Sequence, residues 1–114
     1  MNIQKLFKQA QKFQAEMARV QEELGQKTVE GTAGGQAVKV VANGKQEIVS
    51  VTIDPSAVDP EDVEMLQDLV LTAVNEALRK SREMANDEMA RVTQAMGLPG
   101  MPGGLGGLGG LGGL

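Results

Sequence analysis

The side chains in this sequence with the type and spacing to do chemistry are cations. Lys5, Lys8 and Lys12 recur at intervals of three and four, so a helix carries them as one stripe, and no acid precedes Glu16. Arg79, Lys80 and Arg82 form a second cluster. Ammonium and guanidinium groups arranged this way bind phosphate, and Gln4, Gln9, Gln11 and Gln14 add uncharged donors beside them. The competing reading of either group is a solvated helix face. Two such groups, doubled in a dimer, make a phosphate-bearing polymer an equal reading. Both Phe residues, Phe7 and Phe13, lie in the first 24 residues, so no aromatic strand platform for base stacking is expected. A duplex held through its backbone fits better.

What is missing narrows the field further. The chain has 114 residues and no His, Cys, Trp or Tyr, which removes the commonest general base, the thiolate nucleophile and the soft metal ligands. No enzyme, cofactor or small-molecule substrate is expected. Gly44-Lys45 is not a phosphate loop, because Lys stands at position 39 where Gly is required and Gln at 46 where Ser or Thr is. The acids Asp54, Asp59, Glu61, Asp62, Glu64 and Asp68 surround a helix start, where they complement the helix dipole better than they would bind a metal. Net charge is −4, split into +2 over residues 1–53 and −6 over 54–114, so local clustering matters more than the sum. No apolar run is long enough to span a membrane and no export signal is visible, so no membrane partner and a cytoplasmic location are expected.

The elements that must position these groups follow from periodicity. Ile3, Leu6, Ala10, Phe13, Met17, Val20 and Leu24 keep coiled-coil spacing, predicting a helix over 2–24 with Gly25 just past its end. The period then becomes two. Strands are expected at Thr28–Ala33, Ala37–Ala42 and Glu47–Ile53, antiparallel, with a four-residue connection Asn43–Gln46 that pairs Val40 with Val49 and Val38 with Val51. That register makes Val38, Val40, Val49, Val51 and Ile53 one buried face. Asp59-Pro60-Glu61-Asp62 reads as an N-cap with Pro at the first helical position, opening a helix from Pro60 to Met96 that Gly97 closes. At about 55 Å it would overhang a domain whose radius of gyration is about 13 Å, which implies a partner chain. Residues 97–114 hold ten Gly and repeat Leu-Gly-Gly, the composition of a flexible tail.

The order of these pieces resembles a known family. A Met/Gln/Lys-type helix leads into Val29-Glu30-Gly31 and Gly34-Gly35, then Asn43-Gly44-Lys45 and Ile48-Val49-Ser50-Val51-Thr52-Ile53-Asp54-Pro55. Asp59-Pro60-Glu61-Asp62, Leu66-Gln67-Asp68-Leu69 and Ala73-Val74-Asn75-Glu76-Ala77 follow, before a Met/Gly/Pro/Leu tail. Over about residues 1–100 this is similar to the bacterial YbaB/EbfC family of nucleoid-associated proteins. The resemblance implies an α+β homodimer with tweezer-like projecting helices, and a nucleoid location in the cytoplasm. It also implies binding of double-stranded DNA with low sequence preference, serving chromosome organisation, gene regulation or repair. DNA contacts would then fall on Lys5, Lys8, Lys12, Arg19, Arg79, Lys80 and Arg82. The expected dimer core is Val38, Val40, Val49, Val51, Leu66, Leu69, Val70 and Ala73, within a single domain at 1–96. A second class also fits two coiled arms and exposed Met, namely a prefoldin-like chaperone or adaptor for protein partners.

Overall fold

The structure, a computed structural model, describes residues 2–95 and Gly97. Helix α1 (Ile3–Gln26) is followed by strands β1 (Thr28–Ala33), β2 (Val38–Asn43) and β3 (Ile48–Ile53), a 3-10 turn at Pro55–Ala57, and helix α2 (Val63–Ala95). The class is α+β, with an antiparallel sheet in the order β1-β2-β3. The proposed tail lies outside the described residues apart from Gly97, whose φ of +72° and bond from its N–H to the Gln94 carbonyl suit a helix end. Contacts divide the chain into two units, Gln21–Ala85 and residues 1–20 with those from 86 onward.

In the Gln21–Ala85 unit, α2 lies against the sheet through small residues. Ala73, Ala77 and Ser81, one per turn, are all fully buried. Gly31 on β1 sits under the first two, where an added Cβ would collide with the Ala73 carbonyl and come within 2.5 Å of the Ala77 nitrogen. Ala33, Val38, Val40 and Ala42 complete the core, with Val29, Leu66, Leu69, Val70 and Val74 packed around it. One turn further on, Ser81 Oγ donates to the Asn43 carbonyl (2.6 Å) and accepts from the Gln46 N–H (3.1 Å). The helix is thus bonded to the β2–β3 turn.

Four expectations need correction. Helix α1 runs through Gly25 to Gln26, because the Lys27 N–H still bonds the Glu23 carbonyl at 3.0 Å. Helix α2 starts at Val63 and not at Pro60. Asp59 caps a turn instead, accepting from the Glu61 N–H (2.9 Å), and Asp62 is the true N-cap, accepting from Met65 N–H (3.2 Å). The β2–β3 register is also different. Val40 faces Val51 and Val38 faces Ile53, with a one-residue shift between Val41 and Ala42 that skips Val49. The connection has the expected four residues but lies one position later, at 44–47, closed by Gln46 N–H to the Asn43 carbonyl (3.1 Å) and Asn43 N–H to the Glu47 carbonyl (2.9 Å), with Gln46 at φ +63°. Finally, Val49, Val51 and Ile53 are not buried. All six β3 residues are exposed, because α2 packs over β1 and β2. Of the expected dimer core, Val38, Val40 and Ala73 are enclosed by their own chain.

In the other unit, Val20, Val92 and Thr93 are buried, while Ile3, Leu6 and Phe7 are exposed. Arg91 pairs with Glu88 at 3.2 Å across one turn of α2.

Gly31→Ala should destabilise the protein by about 3 kcal/mol, since the new methyl meets helix backbone and not a flexible side chain. That is a fall in Tm on the order of 15 °C in thermal denaturation, and an unchanged Tm would contradict the close approach.

Candidate nucleic-acid interface

The first basic group rests on α1. Asn2 caps this helix through Oδ1, which accepts from the Lys5 N–H at 3.1 Å. Lys5, Lys8 and Lys12 are exposed on it, and none has an ion-pair partner among the described residues. Arg19 is different. Its guanidinium donates to Glu16 at 2.8 Å, and that bond, reinforced by the charge of Arg19, holds the Glu16 carboxyl below the usual carboxylate range. An open cavity of about 590 Å³ in the same unit is lined by Leu6, Gln9, Ala10, Lys12, Phe13, Ala95 and Gly97. Among its described lining residues Lys12 is the one charged group, so they form no acid–base pair.

The second group lies on α2, and its three members have separate tasks. Arg79 pairs with Glu83 at 2.6 Å. Lys80 donates to the Glu30 carbonyl on β1 (2.9 Å) and pairs with Glu76 (3.2 Å), which makes it a strut between helix and sheet. Arg82 is exposed with no ion pair among the described residues.

Sequence reading missed one cation. Lys45 is exposed, lacks an ion pair among the described residues, and sits in the turn that Ser81 holds. Its signal was the Asn-Gly-Lys turn itself, which places residue 45 at a hairpin tip. Lys45, Arg79, Lys80 and Arg82 belong to the Gln21–Ala85 unit, whereas Lys5, Lys8, Lys12 and Arg19 belong to the other.

The acids serve backbone. Asp54 accepts from the Ser56 N–H (2.9 Å), which holds its carboxyl below the usual range, and Asp59 and Asp62 likewise accept from N–H groups. Among the described residues no group of three His, Cys, Asp or Glu could hold a metal ion.

Helix, three-stranded antiparallel sheet and long helix, carrying cations free of carboxylates, define a small α+β protein suited to a polyanion. The profile of the YbaB/EbfC DNA-binding family matches residues 1–96, and the chain belongs to that family. A nucleoid-associated protein of Pelotomaculum thermopropionicum is 61% identical over 98 residues, covering 86% of this chain and 93% of the relative. One from Moorella thermoacetica is 64% identical over 98 residues, covering 86% and 94%. The crystal structure of an uncharacterised protein from Helicobacter pylori shares the fold, with a TM-score of 0.71 at 24% identity over 80% of this chain and 96% of that one. These comparisons lend no support to a prefoldin-like chaperone.

The division of labour on α2 has a direct test. Lys80→Ala should lower Tm by several degrees, through loss of about 1 kcal/mol in its bond to Glu30, while Arg82→Ala leaves Tm unchanged. Equal Tm values for the two variants in thermal denaturation would refute the strut.

Proposed function

We propose that this chain is a non-enzymatic nucleoid-associated protein that binds duplex DNA with low sequence preference, as a homodimer in the cytoplasmic nucleoid. The observation that carries the reading is the family match across residues 1–96, which we take as one dimerising, DNA-binding domain. The names of the relatives support the location. Chromosome organisation, gene regulation and repair are the processes such a protein could serve.

The charge arrangement supports contact through phosphates. Lys5, Lys8, Lys12 and Arg82 need give up no carboxylate to meet one. Arg19 and Arg79 must first leave Glu16 and Glu83, which costs little for exposed pairs. Lys80 ranks last, because it holds β1.

The apolar surface supports the dimer. Ile48, Val49, Val51 and Ile53 line an uncovered β3, and Leu66, Gln67, Val70, Leu71 and Val74 line an open groove of about 420 Å³ on α2. Exposed apolar surface in such concentration marks an interface. Val49 and Val51 from the expected core, with Leu66 and Val70, are therefore the residues offered to a second copy.

Sedimentation equilibrium should give twice the chain mass, and Val51→Lys should give monomers that bind duplex DNA more weakly. Duplexes of unrelated sequence should bind within a few-fold of one another, and Lys5→Ala, Lys8→Ala and Lys12→Ala combined should weaken all of them equally. A monomeric wild type would overturn the dimer, and full-strength binding by the triple variant would overturn the site.

A further inference from the structure

We infer that the Asn43–Glu47 turn is itself a DNA-contacting tip, with the Lys45 ammonium on a phosphate and the Gln46 carboxamide donating to the neighbouring backbone. This deepens the duplex-binding reading and rests on it.

The turn is held from two sides. The Gly44 N–H donates to the carbonyls of Leu24 (2.7 Å) and Lys27 (3.1 Å) at the end of α1. Ser81 of α2 holds the other side, through the Asn43 carbonyl and the Gln46 N–H. Within it, Asn43 Oδ1 accepts from the N–H groups of Lys45 (2.9 Å) and Glu47 (3.1 Å), and Asn43 Nδ2 donates to Glu47 Oε1 (2.8 Å). The one acid at the turn is thereby engaged by an amide and not by Lys45. These bonds tie the turn to α1 and α2, so little of its order has to be gained on binding.

The tip is the reverse. Lys45 and Gln46 are exposed, and neither side chain has a hydrogen-bond or ion-pair partner among the described residues. The Lys45 side chain lies over Gly25 at the end of α1, with Cε 3.2 Å and Nζ 3.5 Å from where a Cβ would stand there. Gln46 takes φ +63°, a conformation that favours glycine. With no hydrogen-bond partner among the described residues, the Gln46 carboxamide is available to a ligand. Arg82, exposed on α2, directly follows Ser81, the residue that anchors the turn.

A structural alternative exists for Lys45, since its ammonium also lies near the negative end of α1. The experiment separates the two. Labelled duplex DNA is titrated with the full chain by fluorescence anisotropy across a KCl series, using wild type, Lys45→Gln, Lys45→Arg, Gln46→Gly and, as control, Lys39→Gln. A phosphate contact predicts that Lys45→Gln weakens binding several-fold and flattens the slope of log K against log salt by about 0.9 per turn engaged. Lys45→Arg should restore both, and Lys39→Gln should change neither. Gln46→Gly should raise Tm, by relieving the backbone, while weakening DNA binding, a combination that a structural role cannot produce. If wild type binds and Lys45→Gln and Gln46→Gly match it in affinity and slope, the tip makes no contact. If wild type fails to bind at any salt, the duplex-binding reading itself falls.

Discussion

The approach of α2 to the sheet at Gly31 is the constraint on which the rest depends. Helix backbone stands where a Cβ of residue 31 would be, so the helix can seat only through a ridge of small residues, Ala73, Ala77 and Ser81. The same spacing of four places Ser81 at the β2–β3 turn, where its hydroxyl donates to the Asn43 carbonyl and accepts from the Gln46 N–H, two groups that also bond each other. Ser81 then determines what its neighbours can do. Lys80 points to β1 and becomes a strut, and Arg82 is left to solvent.

The chain's electrostatics follow from that geometry. An excess of four negative charges gives a poor polyanion binder on average, yet the acids are largely occupied. Some cap turns and α2, and others pair with cations one helical turn away. Among the described residues, the cations without an ion pair, Lys5, Lys8, Lys12, Lys45 and Arg82, are the ones able to meet phosphate at little cost. Net charge concealed this, because it weighs a paired arginine and an unpaired lysine alike.

The strands, both helices and the α+β class were legible in the sequence, since alternation along Val38–Val41 and the 3-4 spacing from Ile3 to Leu24 each admit one period. The misreadings have local causes. Asp59-Pro60 carries the signature of a helix start, but Asp59 closes a turn and Asp62 carries the same chemistry three residues later. The hairpin register could not be read because the bulge at Val49 breaks the count that pairing arguments rely on. Burial of Val51 and Ile53 was expected because alternation marks a face without saying what covers it, and α2 covers the other two strands. For the site, the basic clusters were visible as composition, whereas the pairing of Arg79 and the strut role of Lys80 depend on Glu83 and on a β1 carbonyl 50 residues away. Lys45 was weighed only as part of a phosphate loop and set aside, because it stands alone among the cations in sequence.

The central claim is that unpaired cations on an acidic chain grip duplex DNA through its phosphates. The most direct measurement is the affinity of the wild-type chain for a labelled duplex as a function of salt. Phosphate contact predicts a straight fall of log K with log salt, its slope about 0.9 for each phosphate neutralised. Affinity independent of salt, or no binding even at low salt, would contradict it.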